Sequence, residues 1–272
     1  MVGNPKIEAN TMHIIDFHCH IYPEPIAEKA TQSIRDFYDL QGGHMNGTVQ
    51  TLLQQGDEAG IAQFVVLPVG MRPDRVRHVN DFILGEVARQ PRFLGFGTVH
   101  AAMEDLTGEV EYILEKGLRG IKMHPDFQCF DIDDPRLYPM YEMCQGKLPV
   151  MFHMGDKRYA YSHPAKLRHI LELFPGLQVV AAHFGGYSMY ETAYEQLKDK
   201  DCIFDVSSSL MFMPEGVAEH YIRAFGTERL VYGSDYPLWD PVEEVQRFFH
   251  LKLTDAEFEQ IAHKTAESFL NL

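Results

Sequence analysis

The chain has 272 residues, 45% hydrophobic and 23% charged, which is ordinary for a folded globular enzyme and argues against wholesale disorder or a fibrous design. With 24 Lys plus Arg against 39 Asp plus Glu the net charge is −15, so nucleic acid and anionic membrane are not expected partners. Four scattered cysteines without a CxxC pair suit a reducing compartment, and no stretch approaches the roughly 20 apolar residues of a membrane span; a cytoplasmic location is expected.

In chain order, residues 1–11 read as a loosely attached N-terminal extension, and residues 12–272 as a single domain. The first apolar run, Met12 to Phe17, leads into His18-Cys19-His20. Successive side chains on a strand point to opposite faces, so His18 and His20 face one way and Cys19 the other, buried between strand and covering helices. Seven further β-like runs end near Leu67, His100, His124, His153, His183, Val206 and Asp235. From His20 to Leu67 is 47 residues, and the later steps are shorter, about 23–33, which fits repeated strand–helix units. The long first interval, with Gly42-Gly43-His44-Met45-Asn46-Gly47, is expected to carry an extended loop over the strand ends.

Helices are predicted over Val76–Arg89, Asp105–Glu115, Pro135–Cys144, Pro164–Phe174, Ser188–Leu197, Glu215–Ala224, Pro241–His250 and Thr254–Leu270. Most end at Gly or Pro stop signals such as Lys116-Gly117 and Pro175-Gly176. Eight strand–helix units predict one α/β domain, a distorted (β/α)8 TIM barrel, whose functional groups gather at the strands' C-terminal ends. An open doubly wound sheet is the rival; it lacks a GxGxxG or phosphate-loop fingerprint here, and candidate ligands come from runs one, five, six and eight.

The segments Ile15-Asp16-Phe17-His18-Cys19-His20, Gly120-Ile121-Lys122-Met123-His124-Pro125, Phe152-His153, Ala182-His183-Phe184-Gly185-Gly186 and Tyr232-Gly233-Ser234-Asp235-Tyr236-Pro237 occur in an order that resembles the amidohydrolase superfamily, in the branch related to aminocarboxymuconate semialdehyde decarboxylase. The resemblance implies a metal-dependent barrel of amidohydrolase type. It implies His18, His20, His153 and Asp235 as metal ligands, with Asp235 also a base and His183 a water-orienting or proton-transferring residue. Imidazole and carboxylate donors suit zinc, so one Zn per chain is expected, with a second metal bridged through Lys122 the less favoured arrangement. His124 is the next candidate, for substrate contact; its alternative is packing beneath the following turn.

The expected activity is hydrolysis of an ester, lactone or amide of a small molecule by metal-activated water, the metal lowering the pKa of water toward about 7. The alternative is a non-oxidative decarboxylase of an aromatic or unsaturated carboxylic acid, a lyase; a non-catalytic metal- or metabolite-binding barrel is the third reading. Lys157 and Arg158 offer a carboxylate clamp, against which solvated loop charge weighs more. Tyr22, Tyr236 and Trp239 are candidate aromatic walls. The partner is a small-molecule substrate, and the helical faces are compatible with a homodimer.

Overall fold

The computed structural model describes residues 12–41 and 45–272. The N-terminal extension and the Gly42-Gly43-His44 part of the expected loop lie outside the described residues. The strands are β1 (Ile15–Cys19), β2 (Gln63–Val66), β3 (Phe93–Gly95), β4 (Gly97–Thr98), β5 (Ile121–Met123), β6 (Val150–Phe152), β7 (Val179–Ala181), β8 (Ile203–Asp205) and β9 (Leu230–Val231). All neighbours pair in parallel, in the orders β1-β2-β3 and β4-β5-β6-β7-β8-β9.

Two seams join these sheets into a ring. β3 and β4 are one stave interrupted at Phe96, whose N–H donates to Val66 O while that of Gly97 donates to Gly120 O, so the stave changes partner there. At the other seam Phe17 N–H donates to Tyr232 O (2.8 Å), Asp235 N–H to His18 O (2.8 Å) and His20 N–H to Tyr236 O (2.7 Å). The chain beyond β9 thereby pairs with β1, and eight staves close as a (β/α)8 barrel.

The helices are α1 (Glu24–Tyr38), α2 (Val49–Ala59), α3 (Val76–Arg89), α4 (Leu106–Glu115), α5 (Pro125–Gln128), α6 (Tyr138–Cys144), α7 (Pro164–Leu173), α8 (Tyr190–Leu197), α9 (Val217–Phe225), α10 (Pro241–Phe249), α11 (Asp255–Glu259) and α12 (Thr265–Leu270). α3, α4 and α6 to α10 match predicted spans to within two residues at most ends, whereas α1, α2 and α5 fall where no helix was expected. The final predicted helix begins at a capping box on Thr254 and contains a π-helical turn over Gln260–Lys264. None of the helices among the described residues is long and apolar enough to cross a membrane.

The first interval departs from expectation: residues 24–38 are a helix, not a loop. Pro25 sits in its first turn, where a missing N–H costs nothing, and Ala27, Thr31 and Arg35 form the buried face at four-residue spacing. That face holds only one apolar side chain, too faint a stripe to read from periodicity.

Apolar residues divide by strand parity. Val65, Leu67, Leu94, Phe96, Met151, Val180 and Val231 pack inside the barrel with Ile15 and Phe17, and Ala266 and Leu270 of α12 join this cluster. Phe64, Val66, Val150, Phe152, Val179 and Ala181 belong to the larger cluster beneath the helices. On β1 the register shifts between Asp16 and Cys19. This bulge lets Ile15 and Phe17 fill the barrel while His18 and His20, of the other parity, still reach the pocket above them. Cys19 is buried in the outer cluster, as expected.

Candidate metal centre and pocket

The strand ends surround a pocket of about 420 Å³ lined by His18, His20, Lys122, His124, His153, His183 and Asp235 at its polar floor. His18 Nδ1 lies 2.8 Å from Asp205 Oδ2, and His20 Nδ1 lies 2.6 Å from Leu67 O. An unprotonated carboxylate and a carbonyl only accept, so in the neutral rings both protons sit on Nδ1 and both Nε2 atoms carry lone pairs. Those Nε2 atoms are 3.2 Å apart, and Asp235 Oδ1 lies 3.4 Å from His18 Nε2 and 3.6 Å from His20 Nε2.

Three acceptor atoms facing one another repel unless a cation sits among them. Tetrahedral ligands at about 2.0–2.2 Å from an ion are about 3.3–3.6 Å apart, so the observed spacing fits a divalent metal. Lys122, buried and pointing inward, donates from Nζ to His18 Nε2 at 3.1 Å and is the cation recorded beside this trio. Burial lowers its pKa to about 8.

Electrostatics follow the same division. Burial is the main cause that takes His20 down to about 3 and His183 down to about 4, so both imidazoles are neutral at neutral pH. Burial alone would raise Asp205, but the facing His18 and His183 hold its carboxyl far below the usual range. Asp235 is likewise lowered, burial being outweighed by His18, His183 and His20.

Asp235 is steered from behind. Ser208 donates its hydroxyl to Asp235 Oδ2, and Trp239 Nε1 donates to Ser208 Oγ at 2.8 Å. His183, Ser208 and Asp235 all adopt left-handed backbone, with φ of 59°, 48° and 59°. Non-glycine residues held there cost on the order of 1–3 kcal/mol each, a strain that clusters at functional sites. Close packing also constrains the motif glycines: a Cβ on Gly233 would come within 2.8 Å of His18 Cβ, and one on Gly155 within 2.3 Å of Gly186 Cα. The second contact lets the chains after β6 and β7 approach, placing His153 Nδ1 3.0 Å from His183 Nε2.

His153 and His124 form a separate arrangement. Their rings stack at 4.0 Å with planes 7° apart, and the Tyr38 hydroxyl lies 2.9 Å from His124 Nε2 and 3.2 Å from His153 Nε2. His183 Nδ1 lies 3.1 Å from Ser207 O, so it donates there and its Nε2 accepts from His153 Nδ1. The N–H of Phe127 donates to His124 Nδ1 at 3.3 Å, which puts that ring's proton on Nε2, toward Tyr38. Asp126, pushed up to about 6 by burial, stands 3.7 Å from His153 Nε2. His124, Asp126 and His153 each offer a ligand atom within 4.8 Å of the others, while the two ring Nε2 atoms share the Tyr38 hydroxyl.

Thus His18, His20 and Asp235 converge, while His153, His183 and His124 share the same floor through one another and Tyr38. Sequence reasoning missed Tyr38, Asp205 and Ser208. His100 lies outside the pocket lining, its Nδ1 accepting from Ala102 N–H.

The proposed clamp does not form. Arg158 is held by Asp156 and by Phe37 O (2.6 Å), its guanidinium lies over the Phe37 and Tyr38 rings, and neither it nor exposed Lys157 lines the pocket. Arg158 instead fastens the end of α1 over the site. Tyr22 and Trp239 wall the pocket, whereas Tyr236 is buried and donates to Thr48 O. Cys129, which caps α5, is exposed; the other three cysteines are buried.

The amidohydrolase family model matches residues 15–272. Among solved structures, a TIM-barrel protein from Bordetella bronchiseptica is similar at 22% identity with a TM-score of 0.81, covering 96% of this chain and 99% of that one. The 5-carboxyvanillate decarboxylase of Sphingomonas paucimobilis aligns at 15% identity and a TM-score of 0.75, covering 96% and 100% of the two chains. A dihydroxybenzoic acid decarboxylase from Polaromonas sp. JS666, with bound manganese and the inhibitor 2-nitroresorcinol, aligns at 16% and 0.75, covering 96% and 98%. No curated protein sequence matches. The closed barrel, the five motifs at its strand ends and a family match over nearly the whole described chain agree: the protein belongs to the amidohydrolase family.

Proposed function

We propose that the protein is a metal-dependent, non-oxidative decarboxylase of an aromatic or unsaturated carboxylic acid. The observation that carries this reading is the pocket itself: convergent acceptors at the floor, walls of Phe37, Phe127, Tyr187, Trp239 and Leu238, and no arginine among the lining residues. A flat acid fits such walls, and a carboxylate entering it is met by the floor rather than by a guanidinium. That several solved neighbours are decarboxylases of hydroxylated benzoic acids supports the same choice over hydrolysis, the activity first expected from the sequence.

His18, His20 and Asp235 hold the divalent ion in this proposal, with His153 the fourth protein donor, and zinc or manganese is its identity. Bound there, the ion orients substrate oxygens and offsets their negative charge. Asp235, a carboxylate at rest, would take a proton from the substrate's hydroxyl or carboxylic acid group and pass it to the ring carbon bearing the carboxylate; the carbon–carbon bond would then break, its electron pair staying on the ring, and carbon dioxide would leave. Ser208 and Trp239 hold Asp235 in position for that transfer. Neutral His183 orients His153 and shares in proton movement along the floor, and His124 with Tyr38 contacts the substrate's polar edge.

A second reading, hydrolysis of an ester, lactone or amide, draws on Asp235 Oδ1 as a base beside a metal-activated water. Protein reconstituted with zinc or manganese separates the two. Carbon dioxide release from a hydroxybenzoate panel, without incorporation of ¹⁸O from labelled water, is the expected result. Turnover of esters or lactones with ¹⁸O incorporation, and none of the acids, would overturn the decarboxylase reading.

A further inference from the structure

Polarity in the pocket is layered. Every titratable lining group other than the phenols of Tyr22, Tyr38 and Tyr187 belongs to the histidine, lysine and aspartate floor; above it the lining is apolar or aromatic, with Ser33 and Ser208 the hydroxyl exceptions. The space, about 420 Å³, amounts to about fourteen water volumes at about 30 Å³ each, more than one benzenoid ring with its polar substituents fills.

The apolar lining also continues outward. Six large apolar side chains are exposed among the described residues, and three of them border this mouth. Met71 is a lining residue yet 54% exposed. Phe212, 49% exposed, stands edge-on to Trp239 and Tyr187 at 5.8 and 6.2 Å between centroids. Tyr159, the third, stacks on Phe37 at 5.4 Å. Apolar surface left open at a pocket rim marks a place where something apolar binds. Of the arginines beside this rim, Arg158 is engaged by Asp156 and Phe37 O, and Arg72, next to Met71, by Asp74.

Building on the decarboxylase reading of this site, we propose that its substrate is an aromatic acid bearing an apolar arm, an alkyl chain or second ring, that runs from the floor past Trp239 to Phe212 and Met71. The acid end engages the floor and the arm covers the rim. Phe212 and Met71 are the specificity residues that select for arm length.

Trp239 is the chain's single tryptophan and lines the pocket, so its fluorescence reports occupancy directly. The experiment titrates manganese-loaded protein with 4-alkyl-2-hydroxybenzoates from methyl to hexyl, and in parallel with the matching 3-alkylphenols, which lack the carboxylate. Carbon dioxide release is followed for the acids. The expected result is a dissociation constant that falls up to about fourfold per added methylene, the equivalent of about 0.8 kcal/mol, in both series. Phe212→Asp or Met71→Asp flattens the gain for the longer members, whereas Leu173→Asp, on exposed α7 surface away from the pocket, keeps it.

A chain-length gain without carbon dioxide release supports the arm and refutes decarboxylation. Carbon dioxide release from short acids with no chain-length gain does the reverse. Affinity that is flat or falls with chain length in both series overturns the inference. So does a dimer, detected by light scattering, that Phe212→Asp dissolves while the gain stays flat, because the rim then serves a second copy of the chain.

Discussion

The two sides of the pocket floor use the same side chain for opposite ends. Beside the β1–β9 seam, His18 and His20 spend their Nδ1 protons on Asp205 and Leu67 O and leave Nε2 lone pairs aimed at a common point with Asp235. Beside β5, β6 and β7, the ring nitrogens of His124, His153 and His183 are taken up by Phe127 N–H, Tyr38, Ser207 O and one another. What a histidine does here is decided by the partner of its second nitrogen, not by its place at a strand end.

The sharpest way to break this comparison is to remove one ring from each side and count metal. Plasma mass spectrometry should find about one divalent ion per chain in the wild type, close to none in His20→Ala, and the wild-type amount in His124→Phe. Equal loss in both variants would put His124 in the ligand set as well.

Acid should separate the sides next. His20 and His183 have folded pKa values of about 3 and about 4, below the roughly 6.5 of an unfolded chain, so their neutral burial stabilises the fold fully above pH 6.5. As the pH falls from there, the unfolded chain takes up protons that these rings refuse, and stability drops by on the order of 5 kcal/mol for His20 and about 3 kcal/mol for His183 once the pH passes below each folded value. Urea unfolding at pH 7, 6 and 5 should show this decline without metal. Metal should raise stability across this range without changing the slope His20 contributes, because that ring is already unprotonated in the fold; a markedly steeper slope would mean that the ion displaces protons from other groups.

A smaller effect is expected at Asp205. Replacing it with Asn removes the carboxylate that orients His18, which should weaken metal binding by about 10–100-fold, read by competition with a chelating dye. The smallest is Tyr38→Phe, which strands the His124 Nε2 proton in a buried setting. It should cost about 1–3 kcal/mol of stability by denaturant unfolding while leaving metal affinity unchanged.

Strand ends were legible because each closes an apolar run, and the His18/His20 pair because strand parity is local. The bulge on β1 was not, since the run from Met12 to Phe17 reads the same whether or not its register shifts. Asp205 offered a signal that went unused: it is the carboxylate in the apolar run Ile203-Phe204-Asp205-Val206, and a charge there needs a partner. Tyr38 offered none, because its role depends on α1 folding over the barrel mouth and on Arg158 fastening it there. Ser208 and Trp239 belong to different strand–loop units, and nothing local announces that they meet at Asp235.

The arrangement of two rare side chains has a practical yield. Trp239 follows the eighth stave and the exposed Cys129 follows the fourth, so they stand on opposite sides of an eight-membered ring. A thiol-reactive dye placed on Cys129 would take energy from that single indole, turning the unmutated chain into an optical ruler across its own mouth.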